Sequence, residues 1–124
     1  MKLVGMLDSP YVRRVAISLE LYGIEFVHEP LSVFSTYAEF AEINPVVKAP
    51  TLVLDDGTVL MDSSLILEYL EALAPADSKL LPQQPVALAR DLHVLGLALA
   101  ACEKSVQIVY EYNLRPAEKQ HAPW

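Results

Sequence analysis

The chain has 124 residues, of which 53% are hydrophobic and 20% charged, with nine basic residues against 16 acidic ones. This length accommodates one globular domain or slightly more, and it excludes two full domains. The net charge of −7 argues against nucleic acid and anionic membrane as direct partners, because both are bound by clustered Lys and Arg.

The first quarter of the chain predicts a strand, a helix and a second strand. Short apolar or β-rich runs at 2–7 and 26–31 predict the strands, and apolar residues at helical spacing over 10–22 predict the helix between them. Ser9 is a suitable N-cap, a proline follows it, and Gly23 is a typical helix end. A helical crossover of this kind makes the two strands parallel and right-handed.

The next part of the chain predicts a short helix, a hairpin and a longer helix. The short helix falls near 37–43, and the hairpin joins the runs 50–54 and 59–61 through the turn Asp-Asp-Gly-Thr. Residues 62–64, Asp-Ser-Ser, open the longer helix, which closes at Ala-Pro in 74–75. The predicted order of elements is βαβ-α-ββα, with antiparallel pairing in its second half.

A proline-rich linker and one long helix complete the chain. We expect a first domain at 1–75, a linker at 76–85 and the start of a second domain at 86–124. From Val86 to about Arg115, apolar residues repeat at spacings of three and four, which predicts a helix about 45 Å long at 1.5 Å per residue. The helix is apolar on more than one side, so we expect it to pack against a partner or a part of the protein that this chain barely contains.

Cysteine usage and the N-terminus indicate a cytoplasmic protein. Cys102 is the only cysteine and cannot form an internal disulfide, and residues 1–8 have no signal-peptide pattern. The longest apolar stretch, 92–102, is shorter than the roughly 18 residues that span a bilayer, so no transmembrane segment is expected.

Three motifs together resemble the cytosolic glutathione S-transferase family, bacterial type with serine at the thiol site. They arrive in the family's order and spacing: Ser9-Pro10-Tyr11-Val12-Arg13-Arg14, Asn44-Pro45-Val46-Val47-Lys48-Ala49-Pro50-Thr51-Leu52, and Asp62-Ser63-Ser64-Leu65-Ile66-Leu67-Glu68-Tyr69-Leu70. The resemblance covers residues 1 to about 115. It implies an α/β fold with a thioredoxin-like βαβ-α-ββα domain, followed by a long helix that begins an all-α domain. Such transferases continue through several more helices, so we expect a longer natural protein.

The resemblance implies that glutathione is a co-substrate whose thiol attacks an unknown electrophile, the chemistry of a detoxification enzyme. Ser9 is the candidate catalytic residue, because a hydroxyl at a helix N-terminus donates a hydrogen bond to a thiolate and the helix dipole favours the negative charge. An ordinary N-cap is the alternative role for Ser9, and Tyr11 is a rival hydroxyl donor. Ser9 and Val12 occupy the places of a Cys-x-x-Cys motif, which excludes dithiol exchange.

The same resemblance implies five further glutathione contacts. The backbone of Ala49 pairs with the cysteinyl part, and Pro50 after it is cis in the family, although a trans proline at a strand start is the simpler interpretation. Asp62 and Ser63 suit the ammonium and carboxylate of the γ-glutamyl end, or form a plain helix cap. Lys48 is a candidate for the glycine carboxylate, against the alternative of a solvated lysine.

The remaining candidate residues give weaker indications of a functional site. His28, His93 and His121 are scattered, so no metal site is predicted. Cys102 lies on the apolar stripe of the long helix, where a buried structural thiol is expected. Either Arg13 or Arg14 faces the site, and the sequence does not choose between them.

Two functions of different classes follow from the resemblance. The first is a glutathione transferase, expected to be a homodimer because family transferases dimerise partly through the long helix. The second is a non-catalytic binding module of the stringent-starvation-protein kind, since some relatives act as protein partners in bacterial transcription complexes. The acidic composition fits this second function as well.

Overall fold

The chain forms two compact units. A computed structural model describes residues 1–121, with the first unit at Met1–Leu80 and the second beginning at Leu81. This division falls within the segment predicted as a linker. Residues 122–124, which belong to the predicted second domain, lie outside the described residues.

The first unit has the predicted order βαβ-α-ββα. Its strands are β1 (Lys2–Val4), β2 (Val27–Glu29), β3 (Thr51–Val53) and β4 (Val59–Met61), and its helices are α1 (Pro10–Tyr22), α2 (Tyr37–Ile43) and α3 (Ser63–Leu73). The first two strands are shorter than the apolar runs that predicted them. Strand β1 stops where Gly5 adopts a φ of 137°, and β2 stops before Pro30, which has no N–H for a sheet.

The four strands form one sheet in the order β2-β1-β3-β4. Strand β1 pairs with β2 in parallel and β3 pairs antiparallel with β4, as the sequence predicted. Strand β1 also pairs antiparallel with β3. The register places Val4 beside both Glu29 and Thr51, and Thr51 beside Met61. One edge of the sheet therefore collects the ends of β1, β2 and β4 and the beginning of β3.

The core of this unit lies between the sheet and helices α1 and α3. Its fully buried side chains come from β1, α1, β3 and α3: Leu3, Val12, Val15, Leu19, Leu52, Ile66 and Leu70. Each such side chain contributes about 1.5–3 kcal/mol by leaving water. The buried positions of α1 repeat every three or four residues, which is why the sequence pattern predicted a helix here.

Both ends of α1 are fixed by its own sequence. The Ser9 hydroxyl accepts a hydrogen bond from the Val12 N–H at 3.4 Å, and Gly23 adopts the left-handed conformation with a φ of 67°. The Gly23 N–H donates to the Glu20 carbonyl at 3.0 Å. This cap and this stop are the ones that the sequence predicted.

The second unit contains helix α4, Pro85–Leu114, and a short 3₁₀ turn at Ala117–Lys119. Helix α4 starts one residue earlier than predicted, because Pro85 takes the first helical position, where its missing N–H costs nothing. None of the residues of α4 is buried. Cys102 is accordingly half-buried, and its prediction as a buried thiol was wrong.

Helix α4 is also long and apolar enough to cross a membrane by length and composition, with a mean hydropathy of 1.4 over its most apolar window. The sequence analysis did not indicate a membrane-spanning length, because it counted an apolar stretch of consecutive residues. The mean hydropathy is an average over a window, so it stays high although the window includes single residues such as His93 and Gly96. Core helices of soluble proteins meet the same criterion.

Candidate functional site

The three sequence motifs converge on one edge of the sheet. Ser9 follows the end of β1, Ala49 precedes the start of β3, and Asp62 follows the end of β4. Because the register aligns Val4, Thr51 and Met61, motifs up to about 50 residues apart in sequence meet in space. Antiparallel pairing of β3 with its neighbours makes this convergence possible.

The start of α1 packs closely against the loop before β3. A Cβ at Gly5 would lie 2.7 Å from Val12 Cγ2 and 3.2 Å from the Cβ of Ala49. Only glycine therefore allows the chain to leave β1 here, and the positive φ of Gly5 adds to this requirement. Sequence reasoning missed Gly5, although a glycine between a strand and a capped helix was a usable signal.

The loop before β3 is held by a buried polar network. The side chain of Asn44, 1% exposed, donates to Thr51 Oγ1 at 2.8 Å and accepts from the Val46 N–H at 3.0 Å. The Thr51 hydroxyl in turn donates to the Lys48 carbonyl at 2.7 Å. The peptide bond from Ala49 to the following proline is cis, as the resemblance implied.

Asp62 is the N-cap of α3 and has a positive φ of 73°. Its Oδ1 accepts a hydrogen bond from the Ser64 N–H at 2.9 Å, and its Oδ2 lies 3.3 Å from the Nζ atom of Lys48. The bond from Ser64, with a smaller contribution from Lys48, holds the pKa of Asp62 below its usual value. Asp62 therefore presents a negative charge at neutral pH.

Arg14 connects α1 to the start of α3. Its Nη1 atom donates to the hydroxyl oxygens of Ser63 and Ser64, each at 3.1 Å. Ser63 is buried, 5% exposed, whereas Arg13 on the neighbouring position of α1 is exposed. Of the two arginines between which the sequence did not choose, Arg14 is therefore the one that contacts the start of α3.

The remaining predicted site residues occupy the same region. Ser9 and Tyr11 are half-buried at the start of α1, and Pro50 is buried beside β3. Residues 1–121 contain no group of three or more His, Cys, Asp or Glu side chains that could hold a metal ion. The arrangement is a cluster of hydroxyl groups and helix N-termini with one ion pair at its surface.

Comparison with known proteins decides the family. The family model "Glutathione S-transferase, N-terminal domain" matches residues 3–79 of the chain. The chain belongs to the glutathione S-transferase family. Its first unit accordingly has the family's thioredoxin-like α/β fold, followed by a long helix, as the sequence predicted.

Two curated proteins are similar in sequence to this glutathione S-transferase family member. The GST-like protein YibF of Escherichia coli strain K12 is 37% identical over 123 residues, which are 97% of this chain and 58% of YibF. A probable maleylacetoacetate isomerase of Caenorhabditis elegans is 40% identical over 75 residues, 59% of this chain and 34% of the isomerase.

A solved structure with a ligand is also similar to this family member. It is the crystal structure of a glutathione transferase family member from Pseudomonas fluorescens Pf-5 with bound glutathione, 35% identical with a TM-score of 0.82. The similarity covers 99% of this chain and 62% of that one. The chain thus spans less than two thirds of the length of these relatives.

Proposed function

We propose that this chain binds glutathione at the edge where β1 and β4 end and β3 begins, and that it activates the thiol for attack on an electrophilic carbon. The observation that carries the proposal is the convergence of Ser9, Ala49 and Asp62 on three aligned strand ends. The glutathione-bound relative from Pseudomonas fluorescens supports it, since its similarity covers 99% of this chain. Relatives named glutathione S-transferase and probable maleylacetoacetate isomerase support an activity of one of these two classes.

Ser9 is proposed as the donor to the thiolate. Its oxygen accepts from the Val12 N–H, and a hydroxyl that accepts one hydrogen bond still has its own proton to donate. The N-terminus of α1 adds a positive potential at the same place. Two or three pKa units of depression, at about 1.4 kcal/mol each, would leave glutathione largely ionised at neutral pH.

Ser63 and Asp62 are proposed for the γ-glutamyl end of glutathione. The Ser63 oxygen accepts from Arg14, which leaves the Ser63 proton to donate to a carboxylate. The guanidinium of Arg14 and the N-terminus of α3 both favour an anion there. The ionised Asp62 supplies the opposite charge for the ammonium group.

The other predicted contacts keep their assignments within this proposal. The Ala49 backbone, presented before the cis Pro50, pairs with the cysteinyl unit, and Lys48 meets the glycine carboxylate. Tyr11 is the second candidate for the thiol. Glutathione supplies the nucleophile, while the protein supplies orientation and charge stabilisation without a metal.

We also infer the setting of this activity. A cytoplasmic homodimer acting in detoxification agrees with one cysteine in 124 residues and with the apolar surface of helix α4, where Leu97 is 61% exposed. The electrophile is a small molecule whose identity depends on parts of the family fold beyond the first unit.

The test measures the pKa of the bound glutathione thiol. The ultraviolet absorbance of the thiolate is titrated with pH for wild type, Ser9→Ala, Ser9→Thr and Tyr11→Phe, with Ser105→Ala on α4 as the control. We expect Ser9→Ala to raise the thiol pKa by about one to two units, the effect of one hydrogen bond to a charged group. Ser9→Thr should retain most of the depression, because it keeps a hydroxyl.

Two results would contradict this assignment. A thiol pKa unchanged in Ser9→Ala but raised in Tyr11→Phe would transfer the role to Tyr11. A wild-type chain that binds no glutathione, but captures a protein through its acidic first unit, would favour the binding-module alternative.

A further inference from the structure

Two side chains proposed for opposite ends of glutathione lie in contact with each other. Lys48 Nζ is 3.3 Å from Asp62 Oδ2, while Lys48 is assigned to the glycine carboxylate and Asp62 to the γ-glutamyl ammonium. The two side chains are 51% and 42% exposed. The pair is therefore open to ligand and solvent, and it joins the loop before β3 to the start of α3.

The oxygen that Lys48 occupies is the one left for a ligand. Asp62 Oδ1 accepts from the Ser64 N–H as part of the helix cap, and Oδ2 is the oxygen that lies beside the Lys48 ammonium. The ammonium groups of Lys48 and of a γ-glutamyl ligand carry the same charge and require the same partner. Two cations at one carboxylate repel each other, so each disfavours the other.

A ligand with a second carboxylate can resolve this competition. Lys48 has a flexible four-carbon side chain, so it can leave Asp62 for another anion within reach. An exposed ion pair contributes little to stability, so Lys48 can leave Asp62 readily. A ligand without the terminal carboxylate gives Lys48 no new partner and leaves it competing for Asp62.

We propose, on the basis of the function proposed above, that the Lys48–Asp62 pair is a selectivity device: Lys48 exchanges Asp62 for the terminal carboxylate of glutathione when the ligand binds. The pair thus favours the complete tripeptide over γ-glutamyl thiols whose terminal carboxylate is absent or blocked. Asp62 becomes available to the ligand ammonium only when Lys48 has moved.

The test compares glutathione with its glycine ethyl ester, in which a neutral ester replaces the terminal carboxylate. Calorimetry measures both dissociation constants for wild type, Lys48→Met, Lys48→Arg and Lys119→Met, the last being a control for net charge. We expect Lys48→Met to bind glutathione about two- to fivefold more weakly and the ester about two- to fivefold more tightly than wild type does. Lys48→Arg should restore the preference for glutathione.

Only the proposed exchange of Asp62 for the ligand carboxylate predicts that Lys48→Met changes the affinities for the two ligands in opposite directions. If Lys48 merely contacts glycine, the ester affinity is unchanged by Lys48→Met; if it merely positions Asp62, both ligands bind more weakly. Either result overturns the inference while glutathione binding by the wild type still stands. A wild type that binds neither ligand overturns the proposed function together with the inference.

Discussion

Single side chains in this protein have definite electrostatic tasks, and Asp62 is the clearest case. Its positive φ and its bond from the Ser64 N–H fix the carboxylate at the start of α3. Both the cap and Lys48 favour the ionised form, which is why its pKa is lowered. Above pH 5, Asp62 therefore keeps its charge, and a pH dependence of glutathione binding between pH 5 and 8 has another origin.

The lowered pKa of Asp62 predicts how stability depends on pH. A carboxyl group whose folded pKa lies below its unfolded value stabilises the fold above that unfolded value, near 3.9, and loses this contribution as pH falls through the folded pKa. Asp62→Asn should reduce the free energy of unfolding at pH 7, and the difference from wild type should close below pH 4. Urea denaturation at several pH values measures this difference.

Asn at position 62 keeps a helix-capping side chain, so the comparison isolates the charge. Asp56→Asn is a positive control for this pH dependence, because the pKa of Asp56 is also lowered, by bonds within its own turn. Asp56 lies outside the site. A difference between wild type and Asp62→Asn that stays constant from pH 7 to pH 3 would contradict the assignment.

Arg14 shows why some residues near the proposed site escape sequence reasoning. Its hydrogen bonds to Ser63 and Ser64 join residues about 50 positions apart. They depend on how α1 packs against α3, and helical periodicity fixes the buried face of each helix but not which neighbours meet across it. Ser9 was predictable because capping is local, with Val12 three residues away.

Among the elements, the loop between α2 and β3 is held by a polar network around the buried Asn44. Asn44 ends α2, bonds to the first residue of β3 and organises the turn between them. In the sequence, Asn44 stood out only as the first residue of the family motif at 44–52. The buried bond from Asn44 to Thr51 could not be read from the pattern, since a polar residue near a proline is ordinarily an exposed turn residue.

Asn44→Ala should destabilise the first unit. The substitution removes the bonds that Asn44 makes to the Val46 N–H and to the Thr51 hydroxyl, while that hydroxyl keeps its bond to the Lys48 carbonyl. We expect a loss of about 1–3 kcal/mol in the free energy of unfolding, measured by urea denaturation and circular dichroism.

Asn113→Ala on helix α4 is the matched control, because Asn113 is exposed and such changes usually stay within about 0.5 kcal/mol. Equal stability of Asn44→Ala and Asn113→Ala would show that the network does not hold the loop. Weaker glutathione binding in an Asn44 variant that remains folded would connect the network to the site.

For the whole molecule, helix α4 is the feature that the first unit does not explain. It is 30 residues long, none of them buried, and it has large exposed apolar side chains such as Leu92, Val94 and Leu97. The sequence predicted both the helix and its apolar faces, since local periodicity determines them. The sequence of a single helix does not determine which surface packs against those faces.

If helix α4 forms the interface of the proposed homodimer, one charge placed on its apolar surface should weaken dimerisation. Leu97→Glu should shift the chain from dimer to monomer in native mass spectrometry, because burying an unpaired carboxylate in an interface is costly. Leu21→Glu on α1 is the control, since Leu21 is 63% exposed and Leu97 61%. A wild type that is monomeric at micromolar concentration, or a Leu97→Glu variant as dimeric as wild type, would contradict the proposal.

The three aligned strand ends are proposed to form one glutathione site. The most direct measurement is a two-dimensional NMR titration of the labelled chain with glutathione, following each backbone amide. We expect saturable shifts clustered at Ser9, Ala49 and Ser63, with small changes along Pro85–Leu114. An unperturbed spectrum at millimolar glutathione, or shifts confined to residues far from these three, would contradict it.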